Sequence, residues 1–139
     1  MNRINIGRVI LGGIVAGIVA NAGDFVINTY LIPDDMTQLA QRLGLDKAQV
    51  DGSMATWIVV DFAWGLLLAF TYAAIRPRFG PGPATACVAG LMLFLGVTAV
   101  LIGFLAMGIF AQDAFMRSAG LSLVVTLAAS VAGAAVYKE

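Results

Sequence analysis

The sequence predicts an all-α protein: a four-helix transmembrane bundle with a short amphipathic interfacial helix in its first extracytoplasmic loop. Three observations lead there. Of the 139 residues, 60% are hydrophobic and only 12% charged, about half the roughly 25% charge that soluble domains carry. Four apolar stretches each supply the ~20 residues needed to cross a ~30 Å hydrocarbon core at 1.5 Å per residue. The segments between them are polar or rich in proline and glycine, as connections at a membrane surface are. The length makes a single transmembrane domain over residues 1–139 and leaves no room for a separate soluble catalytic domain.

A window of about 19 residues places the spans at roughly 9–32, 55–75, 84–110 and 115–137. The first begins behind Arg3 and Arg8 and passes Ala20-Asn21-Ala22, which imitates a signal-peptide cleavage site. Its apolar run continues through Phe25-Val26-Ile27 to Leu31-Ile32, so the segment reads as a retained span. In the loop that follows, Met36, Leu39, Ala40 and Leu43 recur at helical spacing among Asp34, Asp35, Gln38, Gln41 and Arg42. That pattern predicts the interfacial helix, with Asp34 or Asp35 as its N-cap and Gly44 at its end. The second span should stop near Ile75, because Pro77 lacks an N–H and restricts Arg76 before it. The stiff turn Arg76-Pro-Arg-Phe-Gly-Pro-Gly-Pro83 then leads into the third span, where Gly90, Gly96, Gly103 and Gly108 offer close approach to a helix of the same or another chain.

Charge sets the orientation. Arg3, Arg8, Arg76, Arg78 and Lys138 fall on one side with Glu139 alone, while Arg42, Lys47 and Arg117 fall on the other with Asp34, Asp35, Asp46, Asp51 and Asp113. Basic residues favour the cytoplasmic side, which puts both termini and the Arg76 turn on the cytoplasmic side of the membrane, with the chain multi-pass.

Within the membrane, Gly13, Gly17, Asn21, Asp24 and Asn28 follow one another at intervals of four, four, three and four. At 100° per residue they fall within an arc of about 80° and form one face. Its first half is a small-residue packing surface; its second is a ladder of amides and a carboxyl group. Trp57, Asp61, Trp64 and Gly65 share a face of the second span, with Trp57 as an interfacial anchor and Trp64 in the bundle core. Asp24 and Asp61 lie at similar depth. An ionised carboxylate there costs at least ~2.5–3.5 kcal/mol, so the two acids are either protonated or share a partner, and Arg117 is the cation placed to snorkel toward them. Ser122, Thr126 and Ser130, followed by Gly133, form a stripe on the fourth span that can pack against the first and bond to its amides. The set Asn21, Asp24, Asn28, Asp61 and Arg117 has two readings: a buried network that fixes helix register, or a proton- or cation-coupled site, since intramembrane acids mark ion pathways.

Absences narrow the chemistry. The chain has no histidine and one cysteine, Cys87. That removes the commonest metal ligand and general base and any internal disulfide. Lys47 and Lys138 lie outside the spans, so no lysine is placed for a buried Schiff base. Phosphate loops, zinc spacings and nucleophile elbows are missing, and the spans show no inverted repeat. Zero net charge argues against nucleic acid. No catalytic residue, metal or cofactor is expected.

The segments IGRVILGGIVAGIVANAGDFVIN (residues 6–28), YAAIRPRFGPGPATA (72–86) and AGAAVYKE (132–139) resemble those of small uncharacterised bacterial four-span integral membrane proteins. The resemblance covers most of the chain and implies the same fold and a retained first span. In that pattern a glutamate often stands where this chain has the shorter Asp24, and no residue role comes with it. The expected function is therefore that of a non-enzymatic membrane protein acting by helix–helix assembly, as a homo-oligomer or an accessory subunit of a larger membrane complex. The alternative is a minimal proton- or cation-linked transporter or channel that uses Asp24 and Asp61.

Overall fold

The structure, a computed structural model, describes residues 4–137. Arg3, Lys138 and Glu139, which entered the charge pattern, lie outside the described residues. Helix α1 (Ile6–Val26) continues as a π-turn over Ile27–Leu31, and the short helices α2 (Pro33–Arg42) and α3 (Lys47–Gly52) follow. Then come the long helices α4 (Met54–Phe79), α5 (Pro83–Ala106) and α6 (Gln112–Val136). Four helical segments, Ile6–Leu31, Lys47–Phe79, Pro83–Ala106 and Gln112–Val136, are long and apolar enough to cross a membrane. This is the pattern of a multi-pass membrane protein.

Several boundaries differ from those expected. Helix α4 runs through Pro77 to Phe79 rather than ending near Ile75. Proline removes one i→i−4 bond, but this close to the end few bonds remain to lose, and the Gly80 N–H closes the turn on the Arg76 carbonyl at 2.8 Å. Helix α1 starts three residues early because the Asn5 side chain accepts from the Arg8 N–H at 3.1 Å and caps it. Helix α5 stops at Ala106 instead of Phe110, where Gly108 turns the chain with φ of +78°. The start of α2 carries no side-chain cap: Pro33 occupies its first turn, and Asp34 and Asp35 lie inside that turn, where they complement the helix dipole. Helix α3 was not foreseen, although Asp46 and Gln49 form its capping box, a signal present in the sequence.

Helix α1 is the central element. It packs most extensively on α4 and next on α6, while α5 leans mainly on α6. Two faces of α1 do this. Gly13 and Gly17 meet α4, where added Cβ atoms would lie 2.8 Å from the Leu66 Cα and 2.9 Å from the Phe62 Cα. On α4, a Cβ on Gly65 would collide with the backbone of Gly13 and Gly17. About 100° round the helix, Gly12 and Gly23 face α6: a Cβ on Gly12 would sit 2.7 Å from the Gly133 carbonyl oxygen, and one on Gly23 would sit 2.6 Å from the Val125 methyl groups. The buried cluster Ala16, Ala20, Leu68 and Ala129 fills the middle. A second, built on Val9, Ala69, Tyr72, Ala73, Ala86, Ala89, Ala134 and Tyr137, fills the end at which Asn5 and Tyr137 meet.

Burial is uneven along the axis. The buried residues of α5 are Thr85, Ala86, Ala89 and Gly90, all in its first turns, and beyond Gly90 the helix carries no fully buried residue. A substitution at the α1/α4 crossing should therefore cost far more than one on the far half of α5. Gly65→Val, which drives a side chain into backbone, should lower stability by at least the ~1–3 kcal/mol of an overpacked core. Gly96→Val, with open space around it, should leave the monomer's stability unchanged. Reversible unfolding in mixed micelles measures both.

Candidate functional site

The close approach at Gly13, Gly17 and Gly65 decides what happens one turn further along. In an α-helix each Cα–Cβ bond tilts toward the N-terminus. Asp24 on α1 therefore leans back toward the middle, and Asp61 leans toward the N-terminal end of the antiparallel α4, the end that lies beside Asp24. Their carboxyl groups lie close enough across the α1/α4 seam to influence each other. Asp61 is only 9% exposed, and Asp24 is half-buried. Since an ionised carboxylate can only accept, a hydrogen bond between two carboxyl groups requires one of them to carry a proton.

Asn21 ties the same seam. Its amide nitrogen donates to the Gly17 carbonyl at 3.0 Å on its own helix and to the Ile58 carbonyl at 3.4 Å across on α4. Asn28 takes part through the backbone: its amide donates to the Asp24 carbonyl at 2.8 Å, which also accepts from the Ile27 N–H. The side chain thus stands where a main-chain donor would bond. Beyond it the ladder slips to i→i+5, with the Ile32 N–H on the Ile27 carbonyl at 2.9 Å. Such π-turns recur at functional sites, and this one begins three residues after Asp24.

Arg117 does not turn toward the acids. Its Nε and one terminal nitrogen grip Asp35 of α2 at 3.2 and 2.7 Å, and the other terminal nitrogen holds Asp113 at 3.1 Å. The structure thus brings Asn21, Asp24 and Asp61 together, attaches Asn28 through the Asp24 carbonyl, and places Arg117 in a separate ion-pair cluster. The α6 stripe also divides. Gly133 packs on Gly12 and Ala16 of α1, but the Ser130 hydroxyl donates to the Ala86 carbonyl of α5 at 2.7 Å. Thr126 is buried and Ser122 half-buried. Trp57 is 58% exposed, whereas Trp64 packs against the middle cluster.

The sequence reading missed a second constellation, at the opposite end. The Tyr137 hydroxyl accepts from the Asn5 N–H at 3.2 Å, and its ring meets Tyr72 edge-on at 6.0 Å. The Arg76 guanidinium lies 5.6 Å from the centre of the Tyr137 ring, a cation–π distance. The Tyr72 hydroxyl in turn accepts from the Gly82 N–H at 3.2 Å. The first and last described residues and the Arg76 turn come together there. Tyrosines at two helix ends near a basic turn were the available signal, but aromatics at a membrane boundary also read as belt residues.

No protein family, curated protein or solved structure matches the chain, so chemistry must be argued from the residues. Among the described residues no three His, Cys, Asp or Glu side chains come together as a metal site would require. The acid pair places two carboxyl groups together between two helices in apolar surroundings, where an uncharged carboxyl group is favoured over a carboxylate. Dicyclohexylcarbodiimide, an apolar reagent for protonated carboxyl groups, should therefore form a single adduct per chain at Asp24 or Asp61. Mass spectrometry should find that adduct missing in the Asp24→Asn/Asp61→Asn double variant.

Proposed function

We propose that the four long helices form a transmembrane four-helix bundle in the bacterial cytoplasmic membrane. Both termini face the cytoplasm, and α2 lies as an amphipathic helix at the opposite interface. The protein is non-enzymatic and acts by helix–helix assembly, with a second copy of itself as the partner.

One observation carries this reading: the uncovered face of α5. Met92, Gly96, Val100, Gly103 and Met107 follow at intervals of four, four, three and four, and all five are exposed. Lipid satisfies Met and Val, since hydrocarbon tails are as apolar as they are. The glycines need a different explanation. Each glycine in a helix costs about 1 kcal/mol relative to alanine, and a membrane helix recovers that only where another backbone comes close. Gly12, Gly13, Gly17, Gly23, Gly65, Gly90 and Gly133 all meet a neighbouring helix, whereas Gly96 and Gly103 meet nothing within 4 Å. A two-fold dimer needs only one such stripe, because the interface is made of the same patch twice.

A second reading rests on the meeting of Asp24 and Asp61: a minimal proton- or cation-linked transporter or channel in which the pair holds the proton.

Two measurements test these readings. In mild detergent or native membrane patches the protein should have the mass of a homo-oligomer, and the Gly96→Leu/Gly103→Leu variant should shift to monomer. A stoichiometric foreign chain would replace the second copy with an accessory-subunit role, and a monomeric parent would overturn assembly. For the acid pair, proteoliposomes should dissipate an imposed pH gradient, and Asp24→Asn should fold yet abolish that flux. Unaltered flux with a lowered melting temperature would leave the pair only a structural role.

A further inference from the structure

Helix α2 is fastened differently from every other helix longer than two turns. None of its residues is fully buried, and among helical elements it packs mainly on the π-turn that precedes it. At its far end an open groove lined by Arg42, Leu43, Met107, Gly108 and Ile109 runs between it and the α5–α6 connection. Its strongest tie is polar. Arg117, 82 positions away, closes a two-pronged grip on Asp35 while Asp113 takes the remaining prong. The Asp35 side chain is only 11% exposed and that of Arg117 is 49% exposed. The grip is thus sheltered on one side and reachable from the other. Asp113 lies one turn before Arg117 on α6 and fixes the guanidinium so that its other edge faces α2. The remaining ion pair nearby, Lys47 with Asp51 at 2.6 Å, is internal to α3 and does not compete.

The other end of α2 adjoins the π-turn. Only Ile32 separates it from the π-turn, and the Asn28 amide on the Asp24 carbonyl accompanies that register. Were the amide withdrawn, the Asn28 main-chain N–H could resume the ordinary bond. The turn would then slip by one residue, which is 100° of rotation and 1.5 Å of rise. Pro33, with its fixed φ, would pass that rotation directly into α2.

We propose that α2 is a hinged strap: it swings on the Ile27–Leu31 π-turn, Asn28 sets the hinge, and Arg117 is the latch that holds the strap to α6 through Asp35. This goes beyond both functional readings. The hinge begins beside the residue whose carboxyl group meets Asp61, so the strap and the acid pair are mechanically joined whatever the pair does.

The test is a distance measurement by pulsed electron paramagnetic resonance in lipid nanodiscs, on full-length protein with Cys87→Ser. Nitroxides are placed at the exposed positions Gln38 on α2 and Ala135 far along α6. The latched protein should give one narrow distribution. Arg117→Gln should broaden it toward longer distances, and the charge-swapped pair Asp35→Arg/Arg117→Asp should narrow it again. Asn28→Leu should shift its centre with the latch intact. A second label pair, at Leu67 and Ala135, shows whether α4 and α6 keep their places. If Arg117→Gln moves that pair too, the swapped variant decides in its stead. A distribution already broad in the parent, or one unchanged by Arg117→Gln, overturns the latch, and an unchanged distribution in Asn28→Leu overturns the hinge. Because no transport or oligomer is measured, failure here is separate from failure of either functional reading.

Discussion

The backbone contact of α1 with its two neighbours is the constraint from which the rest of the arrangement follows. In hydrocarbon there is no hydrophobic gain from bringing helices together, so association depends on how closely the backbones approach and on the polar groups that meet when they do. Gly13, Gly17 and Gly65 let the backbones approach closely at one crossing, and Gly12 and Gly133 do the same at another. The core that results is built of alanines with a few larger side chains such as Leu68 and Tyr72. A side chain on any of these glycines would force the helices apart. Separation at the α1/α4 crossing would part Asp24 from Asp61 and pull the Asn21 amide from the Ile58 carbonyl. The polar site therefore exists because the apolar crossing is tight.

Two ends of different character follow. Toward Tyr137, three helix ends, the first described residues and the Arg76 turn converge on two edge-on tyrosines and a guanidinium, and the chain there is held by main-chain donors on tyrosine hydroxyls. Toward Arg117, burial in α5 has ceased, Gly96, Gly103 and Gly120 face open space, and the first loop crosses as a helix with no fully buried residue. Segments with few buried contacts open at low free-energy cost, and moving elements are drawn from them. Both the acid pair and the π-turn sit where the closed half gives way to the open one.

How much of this was legible in the sequence depends on what kind of signal each feature leaves. Four long apolar helices are a matter of composition and length. The face Gly13, Gly17, Asn21, Asp24, Asn28 is a matter of spacing, because a helix converts intervals of three and four into one side. Spacing does not name the neighbour, however. The second small face of α1, through Gly12 and Gly23, carries no polar residue to mark it, although adjacent glycines at 12 and 13 must lie 100° apart and so serve two helices. Arg117 illustrates a harder limit. Depth alone made it a plausible partner for the buried acids, but a guanidinium gains more from a two-pronged carboxylate at the boundary, where less desolvation is required, and nothing in the linear order of the four loop aspartates marks Asp35 as that partner. The π-turn leaves no repeating pattern in the sequence; what accompanies it is a single amide, that of Asn28, on the Asp24 carbonyl.

The two functional readings draw on different parts of the molecule and do not compete for residues. The acid pair lies on the seam between α1 and α4, whereas the uncovered glycines lie on α5, whose packing is mainly with α6. A partner seated on Gly96 and Gly103 would leave the Asp24–Asp61 contact in place. It would also add backbone contact on the loosely packed half of the chain, where the intramolecular crossings are fewest. An assembly through α5 would then do for the open half what Gly13, Gly17 and Gly65 do for the closed one: hold helices at a fixed separation by close backbone approach.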